Sequence, residues 1–258
     1  MGFAIIERNT MYLQITTKCN FMCAHCCYSC NKNGKHGDLS VVKDAISFAR
    51  DHDSEVVAIG GGEPTLHPKF FDILDICMNS FDYIWMATNG SNRKTMWRLH
   101  GILQDCDYEN FPEEDWDYAP VITNADKKLT VALSQDYFHD AYNDKVNERI
   151  IDLWERMTKN RGSGYEIRDV TNSNNGVINV GRAKRTQVGM TDKGCVCPEL
   201  IIKPDGTIKM CGCPNSPTIG DIYNGIQREY RNLLQLDKYT DERCWRGIKK
   251  EVRKLNHG

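Results

Sequence analysis

Five cysteines crowd into residues 19–30, in the run "CNFMCAHCCYSC", and their spacing carries chemical content. Cys19-x3-Cys23-x2-Cys26 offers three thiolates from one short loop. Three protein ligands are one too few for a closed iron–sulfur or zinc site; they suit a [4Fe–4S] cluster that keeps one iron open for a substrate or cofactor. Spacing alone does not separate this from a zinc knuckle. Cys27 and Cys30 follow at once, either as a zinc pair completed by Cys23 and Cys26 or as thiols packed beside the loop; the packed reading is adopted. A second group, Cys195, Cys197, Cys211, Cys213 and Cys244, lies toward the other end of the chain. Cys77 and Cys106 stand alone inside predicted helices, as small buried hydrophobes.

A companion motif strengthens the first group. "GGGEPTLHP" (60–68) falls at the C-terminal end of the second predicted strand, where parallel-strand enzymes build their sites. Gly60, Gly61 and Gly62 allow the backbone to approach a ligand closely. Glu63 adds a carboxylate able to accept from an ammonium.

Taken together, Cys19, Cys23 and Cys26, His25 in the usually aromatic place before the third cysteine, and "GGGEP" resemble the radical S-adenosylmethionine (SAM) superfamily. The resemblance implies that the three cysteines hold the cluster and that the methionine part of SAM chelates the fourth iron. It further implies that Gly61, Gly62 and Glu63 bind the SAM ammonium. "ATNG" (87–90) and "LSQD" (133–136) are similar to further SAM-contacting segments, which brings in Thr88, Asn89 and Ser134. The implied chemistry is cofactor chemistry. A donor such as a flavodoxin or ferredoxin supplies the electron, SAM is cleaved reductively, and a 5′-deoxyadenosyl radical removes a hydrogen atom from the substrate.

Near the C-terminus, Cys195-x10-Gly206-x4-Cys211 resembles the opening of the SPASM and twitch domains that follow many such barrels, and "GRA" (181–183) recurs upstream of them. A full SPASM domain carries more cysteines than the five present here, so the shorter twitch type with one auxiliary iron–sulfur cluster is expected. Its ligands would be Cys195, Cys211, Cys213 and Cys244, with Cys197 spare. A tetrahedral zinc site stays open as the alternative.

The bulk properties bound these readings. Net charge is −2, so no global field draws the chain to nucleic acid. The basic runs at 181–185 and 249–254 are expected to be solvated faces. No apolar run approaches the roughly 20 residues that cross a bilayer. The N-terminus has no signal-peptide pattern, and Ile6 stands where myristoylation needs Ser or Thr. A cytoplasmic location follows, where clustered cysteines point to metal or redox chemistry rather than disulfides.

Elements must place these motifs. Strands are predicted at 11–16, 55–60, 83–88, 129–134, 165–170 and 177–181, alternating with helices at 39–52, 67–80, 92–105 and 139–160. That alternation predicts parallel βαβ units and, at this length, a partial (β/α)6 TIM-like barrel of class α/β. Beyond it, 200–211 reads as a hairpin about Pro204-Asp205-Gly206, followed by a helix at 222–236. The domains expected are the barrel at 1–190 and a small hairpin-plus-helix domain at 191–258.

An acidic, aromatic stretch at 107–120, with Glu113, Glu114, Asp115, Trp116 and Asp117, is either a lid for a cationic group or a solvated loop. "YFHD" (137–140) with Asp136 could line the site. His67, next to the GGGEP motif, reads as a helix-entry or packing residue rather than a catalytic one. The substrate expected is a small molecule or nucleotide. Two alternatives are carried: a peptide-modifying maturase, and a non-enzymatic zinc-binding interaction protein.

Overall fold

In the computed structural model the described residues are 10–104, 124, 126, 128–160, 162–171, 177, 180–188, 200–210 and 216–228. Five strands, β1 (Thr10–Thr16), β2 (Val56–Gly61), β3 (Tyr83–Thr88), β4 (Leu129–Ser134) and β5 (Tyr165–Arg168), pair in parallel in the order β5-β4-β3-β2-β1. Helices α1 (Leu39–Asp51), α2 (Phe70–Ser80) and α3 (Arg93–Gln104) supply the crossovers between β1 and β4. The described fold is thus α/β with a parallel sheet, as the strand–helix alternation predicts.

Strand alternation decides which face meets the helices. In β1, Met11, Leu13 and Ile15 join Val57, Ile59, Ile84, Met86, Val131 and Leu133 in one buried cluster with the apolar sides of α1, α2 and α3. Side chains two apart share a face. The opposite face therefore carries Tyr12 and Gln14, Ala58 and Gly60, Trp85 and Ala87, Thr130 and Ala132, and Glu166 and Arg168. Parallel register places Tyr12 beside Ala58 and Ala58 beside Trp85, while Ala87, Ala132 and Glu166 lie side by side. Small and polar residues make up most of this face.

Beyond β1 the sheet continues. β6 (Leu200–Ile202) runs parallel to β1 on the side away from β2, and β7 (Thr207–Lys209), β8 (Thr218–Asp221) and β9 (Gly225–Ile226) follow antiparallel. The hairpin about Pro204-Asp205-Gly206 forms as its turn residues require, with Gly206 at φ +81°. The parallel neighbour of β1 opposite β2 thus comes from residue 200 onward. The barrel–appendage boundary expected at 190 lies outside the described residues.

Four element readings need correction. The 139–160 helix is two: α4 (Tyr137–Asp140), capped by Asp136, and α5 (Glu148–Thr158), capped by Asn147, whose side chain accepts from Arg149 N. Two cap residues impose two helix starts. The helix expected from 67 begins at Phe70, because a 3-10 turn over Pro64–Leu66 intervenes. Gly181 opens a short helix, α6 (Gly181–Arg185), instead of closing a strand. At 222–228 the chain makes a turn and β9; the Asp221 carboxylate accepts from the N–H groups of Tyr223 and Asn224, and Gly225 takes φ +76°. No described helix is long and apolar enough to cross a membrane.

Candidate functional site

The cysteine loop leaves the C-terminal end of β1 and folds back beside it. Cys19 N donates to Asn31 O at 2.9 Å, and Cys26 N to Cys23 O at 3.1 Å, which turns the segment between the second and third cysteines. Phe21 anchors the loop: it is buried and stacks on Tyr142 with ring centres 4.4 Å apart. The Cys19, Cys23 and Cys26 thiols are all half-buried.

Their electrostatics differ. Burial pushes Cys19 and Cys23 up to about 12, and neighbouring cysteines of the trio push both further in the same direction. Cys26 falls to about 6, because the Cys30 thiol donates a hydrogen bond to it. Cys30 correspondingly holds its proton. Cys30 is buried, in keeping with the packing expected of it.

The glycine motif is built against this loop. Gly61 sits at φ +129°, and a Cβ there would lie 2.0 Å from Thr16 O. A Cβ on Gly62 would lie 2.1 Å from Lys18 O and 3.1 Å from Cys19 Cβ. Gly62 N donates to Thr16 O and Glu63 N to Lys18 O, both at 2.9 Å. The close backbone approach that these glycines permit is thus, first of all, an approach to the cysteine loop.

Glu63 is fully buried and gathers the next segment. Its Oε1 accepts from the hydroxyls of Thr65 (2.6 Å) and Thr88 (2.7 Å), and its Oε2 from Asn89 N (2.7 Å). Burial raises this carboxyl's affinity for a proton, and the same donors oppose the rise. Asn89 Nδ2 reaches Asn20 Oδ1 at 3.0 Å and lies 4.0 Å from Cys19 Sγ. Cys19, Gly62, Glu63, Thr88 and Asn89 therefore belong to one connected group at the ends of β1, β2 and β3.

Ser134 is buried at the end of β4, and Asp136 follows it. Asp136 Oδ1 accepts from Phe138 N (3.0 Å) and from His139 Nδ1 (2.8 Å), while Oδ2 is buried without a protein partner. Burial pushes the Asp136 carboxyl up, but His139 and His25 hold it below the ordinary carboxylate range. His25, from the cysteine loop, packs against Phe138 and His139, and its Nδ1 is likewise buried and unpartnered. Ligand atoms of His25, Asp136 and His139 lie within 4.8 Å of one another. Burial drops His25 to about 4, so near neutral pH it is an uncharged ring with one donor and one acceptor nitrogen. Of "YFHD", Phe138 and His139 thus pack against His25 of the cysteine loop, while Tyr137 is exposed.

His67 is a buried packing residue, one of the two roles its position suggests: its Nε2 donates to Gly37 O at 2.9 Å and its Nδ1 accepts from Lys69 N. The solvated face expected at 181–185 holds for Lys184 and Arg185 but not for Arg182, which is buried beneath the cysteine loop. Cys195, Cys197, Cys211, Cys213, Cys244, Cys106 and the 107–120 stretch all lie outside the described residues.

The Radical SAM superfamily profile matches residues 13–161, more than half of the chain and every segment of this connected group. The chain belongs to the radical SAM superfamily. It is accordingly an enzyme, and membership implies a [4Fe–4S] cluster and SAM. A stretch of 79 residues is 35% identical to the mycofactocin maturase MftC of Mycobacterium tuberculosis (strain ATCC 25618 / H37Rv), covering 30% of this chain and 20% of that protein. The matched curated relatives align over only 20% to 33% of their own lengths. Among solved structures, the radical SAM chain superposes on BtrN in complex with AdoMet and 2-DOIA with a TM-score of 0.59 at 13% identity, over 95% of this chain and 87% of that one. It superposes on anSMEcpe with bound AdoMet and the Cp18Cys peptide with a TM-score of 0.51 at 12% identity, over 89% and 80%.

The residues present fit both groups. Three half-buried thiols on one loop suit a cluster with an open iron, and the unpartnered His25 Nδ1 and Asp136 Oδ2 suit a bound polar ligand.

Proposed function

We propose that Cys19, Cys23 and Cys26 hold the [4Fe–4S] cluster, and that Gly61, Gly62, Glu63, Thr88, Asn89 and Ser134 hold SAM beside it. The observation that carries this reading is the hydrogen-bonded continuity from the cysteine loop through Gly62 and Glu63 to Thr88 and Asn89. When bound, the cluster and SAM supply one-electron cleavage of the sulfonium and hydrogen-atom abstraction from a substrate carbon. The protein's own part is to hold these partners in one geometry and to keep water from the reacting atoms.

The substrate proposed is a small molecule or nucleotide, held on the sheet face opposite α1, α2 and α3. The buried Gln14 amide on that face has neither of its polar atoms bonded within the protein. Such an amide calls for a partner that both donates and accepts. The electron donor would be a flavodoxin or ferredoxin, in a reducing cytoplasm. A second cluster on Cys195, Cys211, Cys213 and Cys244 in a twitch-like domain at 191–258 completes the proposal. Peptide maturation is the second reading, favoured by the maturase relative and by the peptide bound in anSMEcpe.

Anaerobic iron and sulfide analysis tests this first. About eight irons per chain support two clusters, and about four support the first alone. Zinc without iron overturns the reading. With SAM and a reductant, the loaded enzyme should release 5′-deoxyadenosine. Deuterium appearing in that product from a labelled small molecule, and not from a labelled peptide, would favour the first reading over the second.

A further inference from the structure

Helix α6 grips the cysteine loop from below, far away in sequence. Arg182 is only 7% exposed. Its Nη1 donates to Cys23 O at 3.0 Å, its Nη2 donates to Cys30 O and lies 3.9 Å from Met22 Sδ, and its backbone N donates to Cys26 O at 2.9 Å. Neighbouring residues extend the contact. Thr186 Oγ1 donates to Ala24 O at 2.8 Å. Gly181, at φ +60°, approaches so closely that a Cβ would lie 2.0 Å from Cys27 O. Main-chain oxygens of four loop residues, 23, 24, 26 and 30, are thereby fixed by residues of a single segment at 182–186.

A guanidinium is suited to this work, since its planar fork can satisfy two carbonyls at once. Carbonyl partners satisfy its N–H groups without cancelling its charge, so a cation remains buried beneath the three thiols.

We propose that Arg182 is a positioning residue for the cluster: its fork fixes the curvature of the 23–30 loop, and its buried charge makes the bound cluster easier to reduce. The proposal rests on the assignment of Cys19, Cys23 and Cys26 as cluster ligands. Reduction adds one electron, and hence one negative charge, to the cluster. A nearby cation in a poorly screened site favours the reduced form more than the oxidised one.

The test uses full-length protein reconstituted with iron and sulfide, comparing wild type with Arg182→Gln and Arg182→Lys. Circular dichroism confirms that each is folded. The first readout is the rate of iron loss to a ferrous chelator, and the second is the midpoint potential from an anaerobic dithionite titration. Glutamine keeps a donor without charge, and lysine keeps the charge without the fork. Arg182→Gln should lose iron about tenfold faster and reduce at a more negative potential. Arg182→Lys should also lose iron faster but keep a potential close to wild type. A folded Arg182→Gln protein with unchanged potential overturns the proposal, whatever its iron loss, and leaves the ligand assignment standing. Wild-type protein that binds no iron overturns the assignment itself, and the proposal with it.

Discussion

Glu63 Oε2 accepts the backbone N–H of Asn89 at 2.7 Å, joining the end of β2 to the end of β3 through one buried carboxylate. The other oxygen takes the hydroxyls of Thr65 and Thr88, so the side chain is held by donors from both strand ends. Burial makes a charge here costly, and the convergent donors offset that cost. Glu63 is therefore as much a spacer between the ends of β2 and β3 as a candidate contact to SAM.

Removing the carboxylate should damage the site more than the fold. Glu63→Ala leaves Asn89 N–H and the Thr88 hydroxyl without their acceptor, at about 1–3 kcal/mol for each buried donor. The expected outcome is a melting temperature lowered by several degrees, SAM binding lost in equilibrium dialysis, and iron largely retained. Retention follows because the motif's grip on the cysteine loop runs through the backbone, from Gly62 N and Glu63 N. Undiminished SAM affinity in this variant would refute the spacer role.

Gly62→Ala should have the opposite profile. Its Cβ would meet Lys18 O at 2.1 Å and Cys19 Cβ at 3.1 Å, and a backbone oxygen cannot swing aside as a side chain does. Overpacking of this kind costs about 1–3 kcal/mol. Here the strain falls directly on the cysteine loop, so iron content should drop steeply while circular dichroism stays near wild type. A Gly62→Ala protein that reconstitutes to the full iron content would contradict the close-packed geometry.

How far the sequence foretells all this depends on how local each signal is. Alternation of Met11, Leu13 and Ile15 with Tyr12 and Gln14 marks β1, because burial under helices on one side is written residue by residue. The cysteine spacing and the glycine string are equally local, and both fall at strand ends as expected. Pairing of β6 with β1 is not local: nothing within "LII" says which strand it will join. Arg182 shows the same limit. Its neighbours Lys184 and Arg185 are exposed, and within "GRAKR" only the left-handed Gly181 hints that the chain turns inward at that point. The Cys30 hydrogen bond was equally hidden, since it depends on a loop that passes through Ser29 at φ +57°.

Acid should destabilise the barrel through His100 before its carboxylates titrate. This ring, on α3, hydrogen-bonds the Tyr165 hydroxyl, and burial lowers it to about 4. In the unfolded chain it titrates near 6.5. Between those values the unfolded state binds the proton and the folded state does not. Stability is therefore intact above about pH 6.5 and falls as pH drops toward 4, by about 3 kcal/mol at most if each unit is worth about 1.4 kcal/mol. Urea midpoints measured from pH 4 to 8 should show this slope, and a His100→Gln variant should show a shallower one. Parallel slopes for the two proteins would assign the acid sensitivity to other groups.

Alanine substitutions across the five loop cysteines should divide them three to two. Cys19→Ala, Cys23→Ala and Cys26→Ala each remove one of the three proposed ligands, and reconstituted protein should lose the corresponding cluster iron. Cys27→Ala and Cys30→Ala should keep it. The latter two should differ from each other in stability. Cys30 is 4% exposed and its thiol donates to Cys26, so its loss removes both packed volume and a hydrogen bond. A cost of about 1–2 kcal/mol is expected for Cys30→Ala, and Cys30→Ser should recover part of it by keeping a donor. Half-buried Cys27 should be substituted at little cost. Iron counts and thermal melts on the five variants check both divisions. Loss of iron in Cys30→Ala with full retention in Cys26→Ala would reassign the third ligand from Cys26 to Cys30.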